Sequence, residues 1–322
     1  MIVRFGYVAM SVVVPNCSPS KTMTATTFQK ITDREAAIRK LQRIAAENLQ
    51  NTLRLLKHNQ AHDIHVYRFS SKLIPLISHE WLSGWDPFPI LEPFFREIGD
   101  YVKAHGMRVS FHPDHFTVLS TPRPEILKAS IRDLHIHVKM LDTMGLGEEA
   151  KCNIHIGGAY GDKPKSLERF IRQFSELDES IRRRITLEND DKTFNALETL
   201  KACEALQVPM VLDIHHQWVN NEGERAIDLW PRVLQTWADN PQLPPKIHVS
   251  SPKSESDPRG HADDVDAGFV RDFLISISKH TDRLDVMIEA KRKDGALFQL
   301  MEDLPKLDSR IKKRDQATIE LE

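Results

Sequence analysis

Residues 211–220 read VLDIHHQWVN, a short apolar run that ends in one carboxylate and two imidazoles. Acids and imidazoles gathered at a strand end are the donor set for a hard or borderline divalent ion. The pattern recurs along the chain. His112 closes the run 107–112, and His155 lies in 152–158, Glu188 in 185–190, His248 in 246–251 and Glu289 in 284–291. His79 follows the run 64–71, and His261 follows 246–251. With Asp213 and His216 these make nine metal-capable side chains at or just after the ends of seven runs. Six imidazoles and three carboxylates exceed the needs of one ion. At about four to six ligands per ion, water included, two or three ions are expected.

A single His near a strand end is more often just hydrogen-bonded. The ensemble reverses those odds, because unrelated histidines would scatter. Others do scatter: His58, His62, His105 and His280 fall near helix ends, His65 near a strand start, and His135 and His137 within a helix. These seven read as structural or solvent-facing. His215 and His216 compete for one role. Along an extended strand His215 shares a face with Asp213, so a strand running through 216 would favour His215.

The elements that must position these residues are legible as eight apolar runs of 6 to 8 residues: 2–9, 64–71, 107–112, 152–158, 185–190, 209–215, 246–251 and 284–291. They are rich in Val, Ile and aromatics, and most do not alternate with polar residues. Such strands are covered on both faces, as in a parallel sheet. Helical patterns follow each run. The first, from Thr32 to His58, has Thr32 or Asp33 as its cap and Ile38, Leu41, Ala45, Leu49, Leu53 and Leu56 at three- and four-residue steps. Eight βα units predict a closed (β/α)8 barrel, a TIM barrel of the α/β class, whose active site lies at the C-terminal mouth of the strands. A doubly wound open sheet is the runner-up, but no G-x-G-x-x-G follows the first strand. The barrel is expected to occupy 1–307, and the polar segment 308–322 is expected to form a frayed tail.

Composition narrows the function further. The 322 residues carry 44 Lys plus Arg against 46 Asp plus Glu, a formal charge of -2. That balance attracts no nucleic acid globally, so any phosphate binding must come from local clusters or metal. Candidates are Arg68, Lys72, Arg123, Lys253, Arg259 and the KRK at 291–293; most surface cations only solubilise. Lys291, two residues beyond Glu289, is placed to add charge near a phosphate. Cys17, Cys152 and Cys203 are far apart and form no C-x-x-C, which points to a reducing, cytoplasmic setting without disulfides. The N-terminal apolar stretch is broken by Gly6, Tyr7 and Ser11 and reads as a strand rather than a signal peptide. No run reaches the roughly 20 residues of a membrane span. No obligate protein partner is evident.

Seven ordered motifs carry a resemblance: YRFSSKLIPLISH (67–79), RVSFHPDHF (108–116), NIHIGG (153–158), TLENDD (186–191), VLDIHHQW (211–218), KIHVSS (246–251) and MIEAK (287–291). Together they resemble the UV damage endonuclease family, from Arg4 to about Leu307. The resemblance implies a TIM barrel with a divalent metal cluster, commonly manganese, with zinc, cobalt or magnesium as alternatives. It implies incision of damaged double-stranded DNA immediately 5′ to cyclobutane pyrimidine dimers, 6-4 photoproducts and abasic sites. The implied metal ligands are His79, His112, His155, Glu188, Asp213, His216, His248, His261 and Glu289, which settles on His216 over His215. Catalysis would fall to Glu188, Glu289 and Lys246 with the metals. In similar enzymes the lysine matching Lys246 can be carboxylated; the alternative is a Lys paired with Glu or with phosphate. His115 and Phe116 match a loop that probes the gap left by damaged bases, although that family often carries glutamine and tyrosine there. Tyr7 matches an aromatic residue in contact with the lesion; the alternative is a packed tyrosine. Two rivals share the architecture: an abasic-site nuclease of the endonuclease IV type, and a metal-dependent sugar isomerase. A third reading, a damage-binding protein, would need metal sites closed by protein ligands.

Overall fold

The computed structural model describes residues 1–82 and 84–322. All eight apolar runs form strands: β1 (Ile2–Val8), β2 (Val66–Arg68), β3 (Arg108–Phe111), β4 (Lys151–His155), β5 (Ile185–Glu188), β6 (Met210–Asp213), β7 (Lys246–Val249) and, after an inserted hairpin, β10 (Arg283–Ile288). Each pairs in parallel with the next, and β10 pairs back on β1 from Ile2↔Arg283 to Tyr7↔Ile288, so the barrel closes. The inserted hairpin is β8 (Pro252–Ser254) with β9 (Asp257–His261), an antiparallel pair between β7 and β10.

The helices lie outside because their apolar stripes have only the sheet to cover. In the long helix Arg34–Ala61, Asp33 is the cap, accepting from the Ala36 amide at 3.1 Å, and Leu41, Ala45, Leu49 and Leu56 are buried. Each such leucine contributes about 1.5–3 kcal/mol of burial. Close approach of β1 and β2 depends on Gly6. A Cβ there would sit 2.0 Å from the Val66 carbonyl oxygen. No helix among the described residues is long and apolar enough to cross a membrane.

Alternation along the strands sends Val3, Phe5 and Tyr7 outward into the apolar layer and Arg4 inward. The barrel interior is therefore polar low down. Asp285 accepts from Arg4 at 2.8 Å and from Arg108 at 2.7 Å, and Lys246 donates to Ser110 Oγ at 3.3 Å. The mouth lies one layer above this network.

The segment expected to fray does not. Residues 308–322 contain β11 (Ile311–Lys313) and β12 (Thr318–Leu321), and β12 pairs antiparallel with Ile2, Val3 and Arg4. The physical reason is the brevity of β2, which pairs only with Gly6, Tyr7 and Val8 and leaves the lower part of that edge of β1 open. Ile311, Ile319 and Leu321 bury their side chains there.

Candidate metal centre

Glu188, the last residue of β5, is the hub. Its carboxylate lies 3.2 Å from His112 Nε2, 3.1 Å from His248 Nδ1 and 3.6 Å from His216 Nδ1. Glu289 follows β10 and stands 3.0 Å from His248 Nδ1 and 4.0 Å from His261 Nδ1. Asp213 Oδ2 lies 3.8 Å from His216 Nδ1. The His155 ring is 5.1 Å from that of His112 and 6.0 Å from that of His216. Eight of the nine side chains thus converge at the mouth. Two groups, His112–His155–Glu188 and Glu188–Asp213–His248, each hold donor atoms within 4.8 Å of one another.

Three imidazoles are oriented from behind. His112 Nδ1 donates to the Pro113 carbonyl at 3.0 Å, His155 Nδ1 to that of Glu188 at 3.2 Å, and His216 Nδ1 to that of Asn189 at 3.0 Å. With Nδ1 committed to a carbonyl, Nε2 is the atom each ring can offer a metal, the arrangement typical of metal-ligating histidine. Asp213 Oδ2 and His248 Nδ1 are buried and have no hydrogen-bond partner among the described residues. The 3.0–3.1 Å approaches of His248 to the carboxylates are short but lack hydrogen-bond geometry. Buried orphans of this kind ask for a missing cation. The donor set therefore fits divalent metal.

The electrostatics agree. Burial would push the Glu188 carboxyl up, but His248, His155 and His112 hold it well below the usual carboxylate range. Glu289 is likewise opposed by burial and held low by Arg68 and His248. Burial raises Asp213. Burial also opposes the charged forms of His216 and His248, yet Asp213, Glu188 and Glu289 raise His216, and Glu188 and Glu289 raise His248, each to about 9. In the absence of metal, protons on these imidazoles offset part of the carboxylate charge.

His216, not His215, faces the cluster. The reason is that β6 stops at Asp213 and the chain turns helical over Ile214–Val219. Asp213 caps this turn, its Oδ1 accepting from the His216 amide at 2.7 Å. Strand alternation no longer applies beyond Asp213, and the three-residue step of a helix brings His216 back beside it. Both ring nitrogens of His215 are taken: Nδ1 meets Ser250 Oγ at 2.6 Å and Nε2 meets the Pro258 carbonyl at 2.8 Å.

The other site residues divide. His79 makes its contacts to one side, its ring 4.4 Å from Trp81, on the wall of a cavity of about 440 Å³ that Phe116 also lines. Phe116 is 75% exposed, and its ring lies 4.0 Å from that of His115, whose Nδ1 is 2.6 Å from Asp114. Lys291 is exposed at the rim, 4.0 Å from Asp263. Lys246 is buried one layer below His248, where burial and the neighbouring Arg108 push its ammonium well down toward the neutral amine. Tyr7 corrects an expectation. Its side chain is fully buried, its hydroxyl donates to Asn59 Oδ1 at 2.7 Å and its ring packs edge-on against Tyr67, because β1 turns it outward into the apolar layer. The packed alternative holds for this residue.

Three residues support the centre in ways the sequence does not reveal. Arg68, a candidate phosphate contact in the sequence, forms an ion pair with Glu289. Asn153 donates to Glu188 Oε2, and its place two residues before His155 on β4 was the available signal. Asn189 bridges β5 to β6, accepting the Asp213 amide at 3.0 Å and donating to the Asp213 carbonyl at 2.9 Å.

Comparison with known proteins adds the family. The family model described as UV-endonuclease UvdE matches residues 3–322. A UV DNA damage endonuclease of Halalkalibacterium halodurans is 46% identical over 310 residues, 96% of each chain. One from Bacillus cereus strain B4264 is 41% identical over 304 residues, covering 94% of this chain and 95% of the relative. The crystal structure of SacUVDE superposes with a TM-score of 0.82 at 30% identity, over 95% of this chain and 99% of that one. Endonuclease IV from Thermus thermophilus, at 12% identity and a TM-score of 0.57, shares the fold over 95% of this chain and 100% of its own.

Proposed function

The chain belongs to the UV-endonuclease UvdE family, and from that premise we propose that it incises duplex DNA immediately 5′ to ultraviolet photoproducts by metal-dependent phosphodiester hydrolysis. It is a DNA repair endonuclease; the cleavage position, the metal requirement and the set of lesions are the finer reading. Cyclobutane dimers, 6-4 photoproducts and abasic sites are the proposed substrates, and two or three Mn²⁺ the proposed cofactor.

The observation that carries this reading is the convergence of three carboxylates and five imidazoles on Glu188 at the barrel mouth. His112, His155, Glu188, Asp213, His216, His248, His261 and Glu289 would hold the metals. His79 joins them on the resemblance alone, since its ring sits against Trp81. When bound, divalent ions lower the pKa of a water and neutralise the phosphate oxygens. The chain's own residues prepare that site. Carbonyls behind His112, His155 and His216 fix their rings. Arg68 keeps Glu289 ionised, and Asn153 orients Glu188. Lys246, driven toward the neutral amine, is primed to add CO₂ as a carbamate with loss of one proton, which would place a carboxylate beneath His248.

Substrate selection rests on the rim. Phe116 offers an exposed ring for stacking, and His115 beside it a polar edge. A photoproduct weakens stacking and pairing, so opening the helix there costs less than at sound bases. Lys291, exposed at the rim, would meet the backbone phosphate.

The test is a labelled duplex with a single cyclobutane dimer, incubated with Mn²⁺ or chelator beside Glu289→Gln. The expected result is a metal-dependent nick just 5′ of the dimer, reduced at least about a hundredfold in the variant. Cutting of an abasic duplex but not the dimer would replace this reading with an endonuclease IV type activity.

A further inference from the structure

The hairpin β8–β9 is an exposed, polar insertion, yet it delivers His261 to the metal centre at the end of β9. Its base is tied down by backbone bonds. The Ala262 amide donates to the Ser251 carbonyl at 2.8 Å, and the Lys291 and Arg292 amides donate to the carbonyls of Ala262 and Asp263 at 3.1 and 3.0 Å. Among the described residues its outer arm has two attachments elsewhere in the barrel. Arg259 donates to the Asp191 carbonyl at 3.0 Å from an exposed position. The other comes from the buried His215.

The Pro258 carbonyl only accepts, so Nε2 carries a proton and donates at 2.8 Å. Nδ1 shares a hydrogen bond with the Ser250 hydroxyl, just past β7, at 2.6 Å. The imidazole therefore bridges Ser250, ahead of the hairpin, to Pro258 in its second strand, from the helical turn that presents His216. Trp218 stacks over the outer face at 6.1 Å, and the His261 ring lies edge-on at 5.8 Å. No other side chain accepts at one ring edge and donates at the other over this span.

We infer that His215 is a positioning residue that latches the β8–β9 hairpin over the barrel mouth and so sets His261 for metal binding. The inference rests on the metal-centre reading above. It also explains the paired histidines: one faces the metals, and its neighbour holds the segment that supplies another ligand.

The experiment compares full-length wild type with His215→Phe, His215→Asn and His215→Gln. Phe keeps the bulk and loses both bonds, Asn mimics only the Nδ1 position, and Gln keeps a donor near Nε2. Amide exchange over residues 253–261 and Mn²⁺ titration are read alongside kcat and KM on the dimer duplex. In Phe and Asn, exchange of the hairpin is expected to quicken about tenfold or more. The weakest-bound Mn²⁺ should loosen by about 10- to 100-fold. kcat should fall with KM little changed, and Gln should restore most of each. Where Phe fails to fold, Ser250→Ala removes the second bond and is read the same way. Unchanged exchange and unchanged Mn²⁺ affinity would overturn the latch. Loss of Mn²⁺ with the hairpin still protected would overturn it too, making His215 a ligand, as would a Gln variant no better than Phe. If wild type binds Mn²⁺ and keeps its hairpin but leaves dimer duplex intact, the proposed activity falls while the latch stands.

Discussion

Asp213 serves two neighbours with its two oxygens: Oδ1 caps the helical turn at the His216 amide, 2.7 Å away, while Oδ2 faces the metal centre unpaired. The roles separate by substitution. Asp213→Asn keeps a capping carbonyl and loses the charge, so metal should be lost with little change in the stability of the metal-free protein. Asp213→Ala loses the cap as well and should be less stable than Asn by about 1 kcal/mol. Thermal unfolding in chelator, with metal content measured on the same samples, checks both.

Arg68 holds Glu289 in its ionised form, and both side chains are only 12% exposed. Arg68→Met should cost about 3 kcal/mol in metal-free protein, because a buried carboxylate loses its guanidinium partner and keeps only His248 beside it. Mn²⁺ supplies the missing charge, so the metal-induced rise in melting temperature should be larger in the variant than in wild type. An equal rise in both would count against the pairing.

Phe116 is exposed and contributes little to packing. Phe116→Ala should leave the melting temperature unchanged and weaken dimer-duplex binding by about 1–3 kcal/mol, or about 5- to 150-fold. Binding to undamaged duplex should change less. Fluorescence anisotropy with the two duplexes, in Ca²⁺ to block turnover, distinguishes them.

Protons and metals compete at His216 and His248, both raised to about 9 by the surrounding carboxylates. Mn²⁺ binding should release protons below that pH, and its apparent affinity should rise with pH up to about 9. Metal-free protein should show the opposite trend in stability. A raised folded pKa adds stability in full below the unfolded value of about 6.5, and that stability is lost as pH climbs through about 9. Unfolding midpoints from about pH 6 to about pH 9.5, with and without Mn²⁺, are predicted to diverge as pH rises.

Lys246 is buried beneath His248, where burial and Arg108 lower its pKa well below the usual lysine value. Incision should rise with added bicarbonate at fixed pH and fall on degassing, and Lys246→Met should be slow and indifferent to bicarbonate. Equal activity under both gas conditions would remove the carbamate from the reading.

The barrel was legible because its eight strands are covered on both faces and so written in Val, Ile and aromatics. Most of the candidate centre was legible for a related reason: nothing apolar is needed at or just past a strand's last residue, so His112, Glu188 and Asp213 stand out there. The hairpin β8–β9 was not legible. PKSESDPRGH carries no large apolar residue, and most of it is exposed. The strands of 308–322 were overlooked because their buried residues, Ile319 and Leu321, alternate with charges. Tyr7 was placed at the lesion by resemblance alone; alternation from the inward Arg4 turns it outward. His215 and His216 could not be ranked without knowing that the strand stops at Asp213.

The seam along β1 has a bearing on how the chain reaches this shape. Arg4 meets Asp285 across a separation of 281 residues, and β12 joins the same strand from farther still. Contacts so distant in sequence are the slow ones, since the intervening chain must be brought round before they yield anything. Until then β1 and β10 present bare edges to any passing strand, the condition under which barrels associate wrongly. Refolding yield should accordingly fall steeply with protein concentration, and the rate should track the closing of that one seam.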